Sequence, residues 1–120
     1  MPTYGNRIKV NTSTTGTGTI TLGSAVAGYQ TFAQGGISDF DIVRYVIEDG
    51  NDWEIGIGLY NAGTITRGAT ESSNGGSAIN LSGSAVVFNT ASSDDILTTD
   101  DQAALLAESR KALAFSLVFR

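Results

Sequence analysis

Apolar and polar residues alternate with a period of two along much of the chain, and Gly, Asn, Asp and Ser interrupt the alternation every few residues. This pattern predicts short antiparallel strands joined by tight turns. The clearest stretch runs from Arg44 to Arg67. Tyr45 and Ile47 share one face, Asp49-Gly50-Asn51-Asp52 supplies turn residues, and Trp53, Ile55, Ile57 and Leu59 follow at strict period two. Glu54, Gly56, Gly58 and Tyr60 occupy the other face, Asn61-Ala62-Gly63 turns again, and Thr64-Ile65-Thr66 opens a further strand. The expectation is a meander with one buried face, in which the row from Trp53 to Leu59 forms the floor of the core.

The same reading extends outward. Residues 1–6 form a short arm, and Ile8 and Val10, alternating with Arg7 and Lys9, predict a first strand. Asn11 to Gly18 is polar and Gly-rich, a loop or twisted edge. Thr17 to Leu22 predicts a second strand with Ile20 and Leu22 on one face, and Tyr29 to Phe32 a third with Tyr29 facing away from Phe32. Ser38-Asp39-Phe40-Asp41 is a polar corner leading into the meander. Gly68 to Ala78 is the longest polar loop, and its Asn74-Gly75-Gly76 centre tolerates positive φ. Ile79 to Leu81 is a short strand, and the continuous apolar run Ala85 to Phe88 fits a strand covered on both faces.

The C-terminal segment changes character. Thr99-Asp100-Asp101-Gln102 has capping-box form, Asp100 and Asp101 favour a helix N-terminus, and Arg110 and Lys111 favour its other end. A short helix is expected from about Asp100 to Lys111, followed by a final apolar strand in which Phe115, Leu117 and Phe119 alternate with Ala114, Ser116 and Val118. That strand either closes the domain's own sheet or adds to a neighbouring subunit. The predicted fold is therefore an antiparallel β-sandwich or barrel-like domain over residues 1–95, with a C-terminal helix–strand assembly segment over 96–120. Leu105, Leu106, Leu113, Phe115, Leu117 and Phe119 are the candidate protein–protein interface residues.

Composition narrows the chemistry. At 120 residues the chain holds one modest core, and 41% hydrophobic residues are too many for a disordered segment. The apolar runs fall short of the ~20 residues that a membrane span needs, and no basic region precedes an apolar one at the N-terminus, so neither a membrane partner nor a secretory signal is expected. Seven Lys+Arg stand against 12 Asp+Glu, a net charge of −5, and no basic stripe is visible for nucleic acid. Arg7 with Lys9, and Arg110 with Lys111, read as solvated surface.

With no His and no Cys, Ser-His-Asp and Cys-His nucleophile systems and most zinc sites are removed. No phosphate-loop or dinucleotide fingerprint is present. Carboxylates remain: Asp39 and Asp41 at the corner, and Glu48, Asp49, Asp52 and Glu54 around the first meander turn. Paired carboxylates ~5–9 Å apart hydrolyse glycosides, but here they read as turn formers and solvated strand ends. Asp49, Asn51 and Asp52 could ligate calcium, although their spacing departs from the EF-hand loop. Trp53 reads as core, whereas Tyr60, on the opposite face, stays open as a sugar-stacking surface. No catalytic residue, metal site or cofactor is expected.

The succession from Asn6 through Gly16-Thr17-Gly18-Thr19-Ile20-Thr21-Leu22-Gly23 and Tyr29-Gln30-Thr31-Phe32 to Tyr45-Val46-Ile47-Glu48-Asp49-Gly50, Trp53-Glu54-Ile55-Gly56 and Thr66-Arg67 resembles a small β-domain of tailed-bacteriophage virion proteins. That domain is familiar as the head- or tail-attaching N-terminal part of tail fibres and spikes, and in related small virion proteins. The resemblance covers about residues 6–93. Fibre-type members continue into a long shaft, whereas this sequence stops at Arg120, and the hairpin Leu59 to Thr64 is shorter than usual. The resemblance implies a non-enzymatic structural part of a virion: a fibre or spike base, an adaptor or a capsid decoration protein. It also implies a homo-oligomer with capsid, portal, neck or tail partners, assembled in the bacterial host cytoplasm. The alternatives are a carbohydrate-binding module using Tyr60, Tyr29 or the 70–77 loop, and a small glycosidase- or esterase-like enzyme.

Overall fold

The computed structural model describes residues 2–96 together with Ala104, Leu106 and Ala107. Nine strands form there: β1 (Lys9–Thr12), β2 (Thr15–Gly16), β3 (Ile20–Thr21), β4 (Ile42–Asp49), β5 (Asp52–Asn61), β6 (Thr64–Thr66), β7 (Ala69–Ser72), β8 (Leu81–Ser82) and β9 (Ala85–Phe88). The main sheet has the order β1-β9-β4-β5-β6-β3, β7 pairs with β5, and β2 and β8 make a separate two-stranded ribbon. All strand pairs are antiparallel, as expected. The two edges of the main sheet come together as well: Gly23 N–H donates to the Asn11 carbonyl, Asn11 N–H to that of Ser24, and the Thr12 hydroxyl to that of Thr21. The sheet is thereby a nearly closed barrel, which leaves little open edge for unwanted pairing.

The long hairpin β4–β5 is the frame of this barrel. It pairs from Ile42 with Leu59 to Asp49 with Asp52. Its two-residue loop has Gly50 at φ 62° followed by Asn51, the arrangement of a type II′ turn. The next loop, Ala62-Gly63, has φ 48° and 77°, the arrangement of a type I′ turn. Both turns match the right-handed twist of the strands they join, so the sequence pattern alone suffices to place them.

The core lies inside the barrel, and it reverses one expectation. Buried positions on β5 are Glu54, Gly56, Gly58 and Tyr60, while Trp53 and Leu59 are 40% and 37% exposed. The row from Trp53 to Leu59 thus faces outward. Tyr45 explains why. Its ring points inward from β4 opposite Gly56, where a Cβ would collide with the Tyr45 hydroxyl and the Gly68 carbonyl; a Cβ on Gly58 would meet Thr66 and Ile65. The two glycines supply the space for the tyrosine. A slip of one residue would put Ile55 and Ile57 into that space, so period-two alternation locks the row on the outside.

Other segments differ in extent. Ile8 and Val10 are buried as expected, but Ile8 sits before β1 in an isolated bridge with Gln30. Tyr29 to Phe32 is not a strand: Thr31 and Gln34 exchange side-chain hydrogen bonds with each other's backbone N–H and start a turn, which drives Phe32 into the core. The predicted strand Thr17–Leu22 shortens to Ile20–Thr21, and β7 forms inside the expected loop Gly68–Ala78. In β9, Ala85 and Val87 are buried but Val86 and Phe88 only half so, and coverage on both faces is partial.

Before the chain leaves the barrel, Ser92 caps a 3₁₀ turn (Ser93–Asp95). Its hydroxyl accepts from Asp94 N–H, and its own N–H donates to Asp95 Oδ2. Beyond Ile96, Ala104, Leu106 and Ala107 are helical and exposed. The rest of the expected helix from Asp100 to Lys111, and the whole final strand, lie outside the described residues.

Candidate functional site

The two faces of β4–β5 carry different chemistry. Inside, Glu54 is 0% exposed, and both its oxygens are engaged. Oε2 accepts from the Tyr45 hydroxyl at 2.7 Å and from Arg67 Nε at 3.2 Å; Oε1 accepts from Arg67 Nη2 and from Ile79 N–H at 2.9 Å. Arg67 in turn donates to the carbonyls of Gly16, Gly18 and Ile79, and the Tyr45 hydroxyl accepts from Gly68 N–H. Burial by itself would raise the Glu54 pKa, but the guanidinium, the hydroxyl and the amide outweigh it and hold the carboxyl below its ordinary value. Burial, followed by the neighbouring Glu54 charge, pushes the Tyr45 hydroxyl well above the usual tyrosine range. Buried ion pairs of this kind recover their desolvation cost only with near-complete hydrogen bonding, and this one has it. Glu54 is therefore no solvated strand end. It ties β4, β5, the segment after β6 and the segment before β8 into one unit, and its carboxylate has no side open to a substrate.

Four of the other candidate carboxylates hold turns or loops. Asp39 accepts from Ala62 N–H, which fixes the positive-φ residue of the second hairpin, and Asp41 accepts from Ser38 N–H. Asp49 takes both the N–H and the hydroxyl of Ser82 at 2.7 Å, joining the β4–β5 turn to β8, while Asp52 accepts from the Ser73 hydroxyl. The Asp49 and Asp52 oxygens of the expected calcium set are thus engaged by Ser82 and Ser73, and among the described residues no group of three or more acidic, His or Cys side chains comes together.

The aromatic assignments exchange roles. Tyr60 is 6% exposed and stacks on Phe32 with ring centroids 5.9 Å apart, so it is core rather than a sugar surface, and Trp53 is the exposed ring. Tyr29 is half-buried, with the Arg7 guanidinium 4.0 Å from its centroid and Lys9 at 5.3 Å. These three, with Phe88, line an open cleft of about 280 Å³.

Outside, cross-strand pairing assembles a surface that the sequence reading placed in the core. Val46 faces Ile55, Ile42 faces Leu59, and Glu48 faces Trp53, while Phe88 on β9 extends the apolar row across Val46. In the middle of this face lies Arg44, opposite Ile57. It is 3% exposed because Asp95 covers it, accepting from Nε and Nη2 at 2.8 Å each in a bidentate pair. The Arg44 guanidinium holds the Asp95 carboxyl well below the usual carboxylate range. The chain thus leaves the barrel clamped to the centre of its own outer apolar face.

Of the six expected interface residues, Leu106 is helical and 59% exposed; Leu105, Leu113, Phe115, Leu117 and Phe119 lie outside the described residues. Two contributors escaped the sequence reading: the outer β5 row, whose alternation was visible but whose side was not, and the Arg44–Asp95 clamp. The only sequence signal for the clamp is the Ser92-x-x-Asp95 capping pattern. Comparisons with protein-family models, curated proteins and solved structures find no match to this chain.

Proposed function

We propose that this chain is a non-enzymatic structural component of a tailed-phage particle, a fibre or spike base, adaptor or capsid decoration protein that acts through symmetric contacts with its own copies and other virion proteins. One observation carries the proposal: the barrel presents an apolar outer sheet face, with Ile42 and Trp53 45% and 40% exposed, and ties Asp95, where the chain leaves it, to that face. Contiguous exposed apolar surface on a stable domain marks a contact site. Many such contacts, weak singly, add through effective concentration in a symmetric particle. The sealed Glu54 carboxylate and the turn-forming aspartates fit a scaffold rather than a catalytic cleft. Proteomic analysis of density-purified particles from a lysate that expresses this chain tests the proposal. Recovery in fixed stoichiometry with the major virion proteins is expected; loss of the chain from intact particles sinks it.

A second reading has its own observation. The cleft between Arg7, Lys9, Tyr29 and Phe88 offers aromatic faces beside two cations, a combination suited to a carboxylate-bearing sugar. Saturable binding on a glycan array that disappears in Tyr29→Ala would establish it.

A further inference from the structure

Among the described residues, two that are not glycine take positive φ outside the hairpin turns: Phe40 at 71° and Arg7 at 55°. Phe40 is the third residue of the turn Ser38–Asp41, in which Asp41 N–H donates to the Ser38 carbonyl at 3.1 Å. Glycine is the ordinary residue for a positive φ at that position. The corner is nevertheless firmly held, since Phe40 N–H donates to the Tyr60 carbonyl and Asp39 accepts from Ala62 N–H. The result is a ring 71% exposed at the tip of the corner, flanked in the chain by two carboxylates. The backbone adopts an unfavourable conformation to carry a side chain that its own domain leaves mostly uncovered, which points to a use outside that domain.

Arg7 belongs to the cleft that Tyr29 and Phe88 line. Its guanidinium lies over the Tyr29 ring and donates to the Gly28 carbonyl at 3.1 Å, and Lys9 Nζ stands 5.7 Å from the Phe88 centroid. The cleft therefore offers two aromatic rings beside two cations, and Phe88 joins it to the outer apolar row at Val46. Its volume of about 280 Å³ exceeds the roughly 150 Å³ of a cavity that holds a benzene ring, so a phenyl ring and an adjoining carboxylate fit together. Among the described residues, none of Arg7, Lys9, Asp39 and Asp41 is in an ion pair. None of Asp39, Phe40 and Asp41 lines the cleft of its own chain.

We infer that the Ser38–Asp41 corner of one copy seats in the Arg7–Tyr29 cleft of a second copy, with Phe40 against Tyr29 and Phe88 and the two aspartates towards Arg7 and Lys9. This names one contact of the proposed assembly and rests on that reading only for its biological setting. Copies of a chain with net charge −5 repel one another in general, so a local match of carboxylates to cations selects this docking over others. The aromatic ring supplies the apolar contact, and the charges set its register. The two patches that meet are different, so the contact is heterologous and passes from copy to copy, closing into a ring where the rotation allows.

The test mixes two full-length variants and reads association by light scattering behind a sizing column over a range of concentrations. The unaltered protein self-associates. Phe40→Gly, and separately Arg7→Gly with Lys9→Glu, each weaken association by about tenfold or more. Glycine suits the positive φ at both positions, so Phe40→Gly keeps its urea midpoint while it loses association. An equimolar mixture of the two variants retains one intact cleft and one intact corner, and it forms one-to-one pairs about tenfold or more tighter than either variant forms alone. Undiminished association of Phe40→Gly, a mixture that pairs no better than its components, or an unaltered protein that is monomeric throughout overturns the inference. So does saturable binding of a carboxylate-bearing sugar with self-association unchanged in the cleft variant; the cleft then belongs to the sugar. Particle proteomics answers separately: a chain that is present in particles but whose variants fail to pair is a virion part held by other contacts.

Discussion

The inner and outer faces of one hairpin show how little hydrophobicity by itself says about which side of a strand is buried. On β5 the outer face carries Trp53, Ile55, Ile57 and Leu59, and the inner face carries Glu54, two glycines and Tyr60. By area alone, burying the apolar row is favoured by about 25 cal/mol per Å². The inner face wins because the two strands are judged together. Tyr45, Val43 and Ile47 on β4 fill the interior, and Gly56 and Gly58 opposite them give the Tyr45 ring its space. Glu54 is buried because Arg67, Tyr45 and Ile79 satisfy it fully. The outer row is then surplus apolar surface for the fold and available for contact. Stability resides on the polar-looking face, and the proposed association on the apolar-looking one.

That contrast can be broken most severely at Glu54. Glu54→Ala leaves the Arg67 guanidinium buried without its carboxylate and is expected to cost about 3–5 kcal/mol, read as a lower urea midpoint; Glu54→Met with Arg67→Leu together should recover much of it. Next comes the glycine gap. Gly56→Val forces a side chain against the Tyr45 ring and is expected to cost about 1–3 kcal/mol or more, whereas Ile57→Val, one residue along on the outer face, costs less than about 1 kcal/mol. Equal losses at the two positions would show that the faces are not as different as the burial implies.

Acid provides a third, smaller lever. Glu54 and Asp95 both have folded pKa values below their ordinary ones. In the window below about pH 4 the unfolded chain therefore takes up protons first. Their stabilisation is present above that window and is lost as pH falls through the folded values. Urea midpoints should decline from pH 6 towards pH 3, and Asp95→Asn should decline less steeply; an identical slope would remove Asp95 from the account. The smallest effect on stability is expected at Trp53. Trp53→Ser should change it by about 1 kcal/mol or less while weakening self-association by about tenfold. A large loss of stability with association intact would return Trp53 to the core.

Much of the fold was legible because its signals are local. Asp49-Gly50-Asn51-Asp52 and Asn61-Ala62-Gly63 specify turns through backbone φ, and the alternation between them specifies strands. Antiparallel barrel-like architecture follows from such hairpins in succession. The strand limits around Tyr29–Phe32 were less legible, because the Thr31–Gln34 exchange competes with strand pairing and leaves only a bridge at Gln30. The candidate site was legible in part. The apolar row was plain, but its use depended on a partner strand, and the clamp joins residues 51 positions apart.

The sequence by itself determined the periodicity, the turn positions and the absence of His and Cys chemistry, since each is a property of neighbouring residues or of composition. Only the tertiary structure decided which face of β5 is inside, that Glu54 is sealed while Trp53 is exposed, and that Asp95 returns the chain to Arg44. The physical reason is that alternation fixes two faces without ranking them. The ranking comes from the space beside Tyr45 and from the donors that Arg67 and Ile79 bring from elsewhere in the chain.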